Sequence, residues 1–409
     1  MNRKEKIFIF TVLAVSFVVR VLWILHLDNS VDFWGDWWDE LGWNIATGKG
    51  YQILNPFVLN DPPFYSWRPP LFPLFLAAIY RIFGHSFLAA KIFLAALGSF
   101  SCVLVYLITK KLFNITTAIF AAIAMIFYPT FIYFNGYLAP ETLTLFSLLL
   151  FVYFLAKDID SPSVKNYIFA GISLGFAVLC RTILSVLPVF ILFWMVFNSK
   201  NKKRTIKNFL VMSIFIILTV SPWVVRNYKI HGVFMLNSTD GGQAIFINNN
   251  EKSFKIEPSG VAYNYDALEF KGRNELEITK ILYQRGVQFI KTNPRKFIQY
   301  VSYRFLNFWR LFPHTSLPDK PYSVKQIVIS FSYVFPLFIF AILGFIYSLR
   351  DFRKKSILFL VIFYYSSTYI LVRATIRYRM PIEPYLIIFA SFGLIETFKY
   401  VFKDQKLFK

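Results

Sequence analysis

Charged residues are scarce in this chain of 409 residues, at 16% of the composition, whereas a soluble domain is usually about a quarter charged. This scarcity excludes an ordinary soluble fold, because most of the chain cannot face water. The 44 Lys and Arg outnumber the 22 Asp and Glu, which gives a net charge of +22. The basic residues stand in short clusters between apolar runs, a pattern typical of membrane topology and not of nucleic-acid binding. The sequence therefore predicts the lipid bilayer as a partner, and no nucleic acid.

Cysteine and histidine are also rare. Cys102 and Cys180 lie inside apolar segments, so we interpret neither as part of a disulfide or a metal site. The four histidines have no metal-ligand spacing. The chain has no Walker phosphate-binding loop and no dinucleotide fingerprint, which argues against a nucleotide-fuelled mechanism. A divalent metal is compatible with the sequence but not required by it, so the cofactor stays unknown.

Apolar runs, in contrast, recur along the chain, which is 56% hydrophobic and 20% aromatic. About 20 apolar residues cross the roughly 30 Å core of a bilayer. Eight runs of about 20 residues lie near 7–26, 87–109, 115–134, 138–156, 205–225, 326–349, 355–372 and 381–398. The longer stretch 166–198 predicts a tight helical hairpin. The first follows a basic start without a small-residue cleavage site after it, so we expect a retained anchor. The fold class predicted is an all-α polytopic membrane protein with about ten transmembrane helices, and residues 1–409 are expected to form one integral-membrane domain.

Basic residues occupy alternate loops. They crowd the N-terminus, 110–111, 157–165, 200–207, 350–355 and the tail from 399. The positive-inside rule places these loops and both termini in the cytoplasm. The long polar segments 27–86 and 226–325 then face outward, so we expect the active site on the outer face of a cell membrane. Within them, Leu71–Phe83 and Glu275–Phe312, the latter broken at Asn293-Pro294, predict interfacial helices.

Carboxylates mark two places on the predicted outer face. The first outer loop carries Asp36, Asp39 and Glu40 beside tryptophans, a set that suits a general base or a bound cation. The alternative is a set of acids that stabilise a helix start. Glu141 follows Pro140 at the start of an apolar span. A charge there is costly, which favours a functional role over a helix-dipole role.

Arginines form the second set of candidates. Arg68 precedes a Pro-Pro pair, Arg181 stands alone in an apolar stretch, and the others are Arg226, Arg377 and Arg379, the last two flanking Tyr378. Arginine binds phosphate through its fork of donors. The alternatives are an arginine that snorkels to lipid headgroups, or a structural partner for a buried acid. Together with Asp36 and Glu141 as candidate catalytic acids, these residues predict a substrate that carries phosphate and an acceptor that must lose a proton.

Five passages carry a family resemblance. They are Gly35-Asp36 through Gly48-Lys49-Gly50-Tyr51, Arg68 to Leu76, Tyr128-Pro129 to Glu141-Thr142, Pro222-Trp223 to Arg226-Asn227 with Asn248-Asn249-Asn250, and Arg377-Tyr378-Arg379-Met380-Pro381. In their order and spacing the sequence resembles the membrane-embedded glycosyltransferases of the C-type fold, which use polyprenyl-phosphate sugars. The likeness is to the group related to protein O-mannosyltransferases and to the aminoarabinose transferases of lipid A.

The resemblance implies a glycosyltransferase that moves a sugar, with inversion, from a polyprenyl-phosphate-linked donor to a glycan, lipid or protein acceptor. Asp36 matches the family's proposed base. From the charge pattern and the resemblance together, the expected substrate-binding residues are Asp39, Glu40, Arg68, Arg181, Arg226, Asn249, Arg377, Tyr378 and Arg379. Two alternatives stay open. A glycolipid flippase would need the same anion-binding face but no base, and a noncatalytic partner in an envelope assembly would tolerate replacement of the first-loop acids.

Overall fold

The computed structural model describes residues 2–29, 37–58, 61–160, 163–236, 238–253, 267–312 and 323–401. These residues form helices, together with one isolated antiparallel bridge between Ile53 and Phe64. In chain order the α-helices are α1 (Arg3–His26), α2 (Trp38–Ala46), α3 (Leu71–Phe83), α4 (Phe87–Leu112), α5 (Ile115–Phe127), α6 (Pro129–Asn135), α7 (Glu141–Asp160), α8 (Val164–Cys180), α9 (Leu187–Asn198), α10 (Lys202–His231), α11 (Gly241–Asn248), α12 (Ala267–Phe270), α13 (Glu275–Thr292), α14 (Pro294–Phe308), α15 (Val324–Ser348), α16 (Phe352–Val372), α17 (Ile376–Arg379) and α18 (Glu383–Val401). Short 3-10 helices cover Thr182–Val186, Leu349–Asp351 and Met380–Ile382.

The all-α membrane fold predicted from the sequence is confirmed, but the count of ten transmembrane helices is not. By length and composition, six segments of the described chain could cross a membrane, or seven if the pair α5 and α6, bent by 48° at Pro129, is one span. One of the six, Val324–Val372, contains both α15 and α16. The rings of Phe345 and Phe359 lie 5.2 Å apart, although 14 residues of straight helix would separate them by about 21 Å. The chain therefore folds back between α15 and α16.

The stretch predicted as a helical hairpin contains two short apolar helices, α8 and α9, joined by the 3-10 helix. The helix α8 packs against α7 and α10, and α9 packs against α10 and α16. Trp194 of α9 donates to Ser356 Oγ of α16 at 2.7 Å, and Arg353 donates to the Phe197 carbonyl at 3.3 Å. These contacts place the end of α9 beside the start of α16.

Contacts along α1 and α4 show that the two helices are antiparallel. They join Glu5 to Lys110 (2.5 Å), Ser16 to Cys102 (3.2 Å) and Asn29 to Lys91 (2.9 Å). At the end marked by Lys110, the Lys355 ammonium lies 4.8 Å from the ring centroid of Phe113 and 4.5 Å from that of Phe392. The loops predicted to be cytoplasmic therefore cluster at one end of the bundle, and the predicted outer segments lie towards the other.

The helices predicted at 71–83 and 275–312 are present as α3, α13 and α14, with the break at Asn293, while their position at the membrane interface stays a prediction. The capping box of Asn274 and Glu277 starts α13, and Pro294 starts α14 at a position where its missing N–H costs nothing. The helix α11 packs closely against α13, since a Cβ on Gly242 or Gly286 would clash with the facing helix.

Candidate functional site

A buried ion cluster joins three of the predicted site residues. Glu141 Oε1 accepts from Arg181 Nη2 at 2.5 Å and from Arg377 Nε at 2.6 Å, and Arg377 Nη2 lies 3.5 Å from Oε2. The Glu141 side chain is 1% exposed, while the two arginines are 15% and 16% exposed. One carboxylate thus holds two guanidinium groups that still reach the surface of the site.

Breaks in the helices position this cluster. Glu141 is the first residue of α7, and Arg181 lies between α8 and the 3-10 helix Thr182–Val186. Arg377 lies in the short helix α17, between α16 and α18. At a helix start the carboxylate also meets the positive end of the helix dipole. The three residues come from parts of the chain as far as 236 positions apart, so only the fold brings them together.

Tyr378 forms the floor of this cluster. Its ring stacks on Tyr369 at 4.8 Å between centroids. The Arg181 guanidinium carbon lies 5.3 Å from the Tyr378 centroid, and that of Arg373 lies 5.7 Å away. The cation–π contacts orient the arginine that Glu141 also holds.

Arg379 lies in a buried structural ion pair and not in this cluster. Its Nε donates to Glu383 Oε1 at 2.8 Å, and the two side chains are 1% and 0% exposed. Its Nη1 donates to the carbonyls of Phe308 (3.0 Å) and Arg310 (2.8 Å). Arg379 thereby ties α17 to the end of α14, and its substrate-binding role stays a prediction.

Arg68 occupies a separate place in the first outer segment. Its Nη1 donates to Asp240 Oδ2 at 2.9 Å. The guanidinium carbon lies 5.4–5.8 Å from the ring centroids of Trp37, Trp38 and Trp67. The surrounding indoles and the aspartate fix the orientation of its fork of donors.

Arg226 supports the same loop from α10. It donates to Ser66 Oγ at 2.8 Å, to Asn227 Oδ1 at 3.0 Å and to the Tyr51 carbonyl at 3.0 Å. Its guanidinium carbon is 5.0 Å from the Tyr51 centroid and 4.9 Å from that of Trp223. Burial raises the pKa of Tyr51 well above its usual value, so its hydroxyl stays a donor to the Arg68 carbonyl, at 2.8 Å.

Glu275, which the sequence reasoning missed, anchors this loop from α13. Its carboxylate accepts from the backbone N–H groups of Tyr65 (2.7 Å) and Ser66 (3.0 Å) and from the Thr239 hydroxyl. Burial raises the pKa of Glu275 despite these hydrogen bonds. An acid at the first residue of a helix is normally exposed, and nothing in the sequence around Glu275 indicates that it is buried.

Asn249 belongs to the end of α11. Its Nδ2 donates to the Ile245 carbonyl at 2.9 Å, and its Oδ1 lies 3.4 Å from Arg304 Nη1. Arg304, which the sequence reasoning also missed, donates to the Asn248 carbonyl at 3.0 Å. Burial lowers the pKa of Arg304 to about 10.

Asp39 has partners from two further segments. Its Oδ1 accepts from the Tyr80 hydroxyl at 2.6 Å, and His85 Nε2 lies 2.8 Å and 3.0 Å from the two carboxylate oxygens. The His85 ring stacks on Trp43 with centroids 4.5 Å apart. His85 therefore joins the candidate residues, although nothing in its sequence context marked it.

The other acids of the first loop contribute differently. Glu40 Oε1 accepts from the Leu54 backbone N–H at 3.3 Å, while Asp36, the predicted base, lies outside the described residues. Within the described part of the chain, no three His, Cys, Asp or Glu side chains come together as a metal site.

An apolar groove of about 500 Å³ lies between α14, α15 and α16. Its walls include Phe305, Trp309, Phe345, Phe359, Ser366 and Leu371. On α16 its lining extends to Ile370 and Leu371, a few residues before Arg377 in the chain. Of the cluster, Arg377 therefore lies close in the chain to one wall of the groove.

Comparisons with known proteins agree with this picture. Residues 67–225 match the family model described as dolichyl-phosphate-mannose-protein mannosyltransferase. Over 197 residues the chain is 26% identical to the lipopolysaccharide core galacturonosyltransferase RgtB of Rhizobium johnstonii, a match that covers 46% of this chain and 35% of that relative. The resemblance to membrane glycosyltransferases is therefore confirmed.

Solved structures give the fold. The archaeal oligosaccharyltransferase AglB from Archaeoglobus fulgidus, in complex with an inhibitory peptide and a dolichol-phosphate, superposes with a TM-score of 0.62 at 16% identity, over 98% of this chain and 51% of that one. The oligosaccharyltransferase of the same organism tethered to an acceptor peptide gives 0.60 at 16% identity, over 98% and 50%. The chain spans about half the length of these structures and about a third of the curated relative.

Proposed function

We propose that this protein is a membrane glycosyltransferase that moves a sugar from a polyprenyl-phosphate donor to an acceptor hydroxyl on the outer face of the membrane. The observation that carries the proposal is the pair of arginines held by Glu141, of which Arg377 follows α16, a helix that lines an apolar groove. A donor with an apolar chain and an anionic head needs both features. The names of the relatives, which are glycosyltransferases, support the same class of reaction.

The donor's phosphate is the leaving group in this reaction. As the bond between the anomeric carbon and the phosphate oxygen breaks, negative charge grows on that oxygen, and arginines near it stabilise the transition state. Arg181 and Arg377 are suited to this role because both remain partly exposed while Glu141 fixes their orientation. Glu141 is then a residue that positions the arginines, since both of them already occupy its carboxylate.

The acceptor hydroxyl is a weak nucleophile and must lose its proton as it attacks. We assign this step to a carboxylate of the first outer loop, with Asp36 as the first candidate and Asp39 as its rival. Direct attack on the anomeric carbon, opposite to the leaving phosphate, inverts the configuration. The acceptor is a glycan, lipid or protein, and the charge pattern of the loops supports the outer face as the place of reaction.

The experiment compares cell-envelope glycans, glycolipids and glycoproteins by mass spectrometry, with the gene intact, deleted, and restored as wild type or as Arg377→Gln. Deletion should remove one glycosidic linkage from an envelope product, and Arg377→Gln should fail to restore it. Accumulation of the intact lipid-linked sugar on the cytoplasmic side would instead indicate a flippase. If Arg377→Gln and Glu141→Gln, each introduced singly, both restored the linkage fully, the assigned site would be contradicted.

A further inference from the structure

Arg20 is a buried cation inside an apolar helix. It is 0% exposed and lies on α1, one of the segments that could cross a membrane. In the described part of the chain its hydrogen-bond partners are all neutral. Its Nη1 donates to the Ser16 carbonyl (3.1 Å) and hydroxyl (2.5 Å), and its Nη2 donates to Cys102 Sγ and to the Met125 carbonyl, both at 3.5 Å. A charge within the membrane is costly, so its position requires an explanation.

The Met125 carbonyl is the partner that explains this position. In a continuous helix it would accept from the backbone N–H four residues later, but that residue is Pro129, which has no N–H. A proline also disfavours the helical conformation in the residue before it, and Tyr128 has φ −68° and ψ 117°. The helix α5 therefore ends at Phe127, and α6 continues at an angle of 48°. Arg20 supplies the donor that the bend removes from Met125.

Arg20 also approaches α6 through Asn135. A Cβ on Gly98 of α4 would lie 2.8 Å from Arg20 Nε and 2.5 Å from Asn135 Oδ1, so both atoms lie beside this glycine. Among the described residues, both atoms are buried without a hydrogen-bond partner. One is a donor and the other an acceptor, so a direct contact or a single bridging water would satisfy both. Because Gly98 has no side chain, α4 leaves room for this pair.

Asn135 connects the pair to the start of α7. Its Nδ2 donates to the Leu94 carbonyl of α4 and to the Thr142 hydroxyl, each at 3.1 Å. Thr142 follows Glu141, the residue that holds the two arginines of the candidate site. Polar contacts therefore join the end of α6 and the first turn of α7 to α1 and α4.

Packing alone does not explain an arginine at this position. The desolvation of a buried charge often exceeds what its contacts return, and an apolar side chain of similar volume is frequently as stable or more stable. The guanidinium of Arg20 must therefore be explained by the groups that its donors hold. These groups lie at the bend before Pro129 and beside the end of α6.

We propose that Arg20 is a positioning residue of the candidate site. It fixes the bend between α5 and α6 by binding the carbonyl that Pro129 leaves without a backbone donor. The bend in turn sets the place of Asn135 and of the first turn of α7, which carries Glu141. The effect of Arg20 on sugar transfer rests on the proposed function, whereas its coupling to Pro129 does not.

The first test is a double-mutant cycle measured by thermal unfolding of the full chain in detergent. In the Pro129→Ala background, residue 129 has an N–H for the Met125 carbonyl. Arg20→Met should therefore be more damaging with Pro129 present, and its two melting-temperature shifts should differ by about 2 °C or more. Only the difference is used, because removal of a buried charge by itself either raises or lowers stability.

Arg3→Met is the matched control for this cycle. It makes the same chemical change at an exposed residue of the same helix, and its shift should be equal in the two backgrounds. Equal shifts for Arg20→Met as well would overturn the inference, because Arg20 would then not depend on the proline.

Hydrogen exchange followed by mass spectrometry needs only the single variant. In Arg20→Met, amide exchange should become faster in peptides from 129–142 and stay as in wild type in peptides from α13, which lies elsewhere in the fold. Unchanged exchange in 129–142, or an equal increase in both regions, would show that Arg20 does not hold the bend.

Transfer kinetics test the effect on the site. Arg20→Met should lower kcat about 10-fold or more with little change in KM, because misplaced groups lose their orientation towards the transition state. Arg3→Met should leave both constants unchanged. A wild-type kcat in Arg20→Met would overturn the positioning role. If the wild-type protein transferred no sugar at all, the proposed function would fail, while the cycle and the hydrogen exchange would still decide whether Arg20 fixes the bend.

Discussion

Glu141 determines the geometry of the candidate site at the scale of single residues. We predict that Glu141→Gln lowers stability by about 3 kcal/mol, because removing one partner of a buried pair leaves the other charge uncompensated. Sugar transfer should fall with it, since Arg181 and Arg377 lose their common anchor. Thermal unfolding in detergent and a transfer assay measure the two effects.

The control for this change is Glu396→Gln on α18, which removes a partly exposed partner of Lys399. Exposed pairs contribute about 0–1 kcal/mol, so this variant should behave as wild type. If Glu141→Gln were as stable and as active as the control, Glu141 would not be the anchor of the site.

A second prediction separates the acids of the first loop. Asp36→Asn should lower turnover about 100-fold or more while donor binding persists, as expected for a general base. Asp39 is already held by Tyr80 and His85, so Asp39→Asn and His85→Gln should have similar effects on rate if this pair acts as a unit. Normal turnover in Asp36→Asn together with a large loss in both Asp39→Asn and His85→Gln would move the base to the Asp39–His85 pair.

The sequence identified single residues but not their partners. Glu141, Arg181 and Arg377 were recognisable as charges in or beside apolar runs. Their meeting could not be foreseen because long stretches of chain separate them. Arg379 ends α17 and Glu383 begins α18, and the 3-10 helix between them lets the two side chains pair. Arg304 was missed because a basic residue in an amphipathic helix is normally exposed.

At the scale of helices, local signals were enough to find most elements. Asn114, Ser86 and Asn274 are N-caps, and the chain breaks where Pro129 and Pro294 stand. The bend between α5 and α6 and the 3-10 helix after α8 were not predicted. Pro129 is a local signal for the bend, because a proline interrupts the hydrogen bonding of a helix.

Close helix crossings give a third prediction. Gly344 of α15 faces the Phe389 carbonyl of α18, and Gly393 faces the Phe340 carbonyl, so a Cβ at either glycine would clash with backbone. Gly344→Ala and Gly393→Ala should each destabilise the protein by about 1–3 kcal/mol, since the two helices must move apart. Gly241→Ala, where a Cβ would meet nothing within 4 Å, is the control in thermal unfolding. Equal stability of all three variants would contradict the described crossing.

Glu275 gives a fourth prediction, in which stability depends on pH. Its folded pKa is raised above the ordinary 4.5 by burial. A raised pKa in an acid means that the folded state holds the proton more tightly. The resulting stabilisation is therefore complete below the unfolded pKa and is lost as pH rises through the folded pKa. Thermal unfolding of wild type should show this loss above about pH 4.5, and Glu275→Gln should lack it. The exposed Glu251, changed to Gln, should leave the loss in place; if Glu275→Gln retained it too, another group would be responsible.

For the whole molecule, charge and contacts point to the same arrangement. The loops rich in Lys and Arg cluster at one end of the bundle, where Glu5 meets Lys110 and Lys355 lies against Phe113. Glu141, Arg181 and Arg377 meet at loops of the opposite set. Such a separation of charge is what the positive-inside rule requires of a multi-pass protein with one functional face. The side of the membrane on which that face lies stays a prediction.

Cysteine labelling in intact cells tests the orientation. The wild-type protein can carry the introduced cysteines without further changes, because its own Cys102 and Cys180 are both buried. We expect a membrane-impermeant maleimide to modify Gln284→Cys, at an exposed position of α13, and to spare Lys202→Cys, which is exposed at the start of α10. The reason is that Gln284 belongs to the long segment predicted outside, whereas Lys202 lies in a basic loop predicted inside. Permeabilised cells should label both variants, which shows that each thiol can react. Labelling of Lys202→Cys alone in intact cells would reverse the topology and place Glu141, Arg181 and Arg377 on the cytoplasmic face.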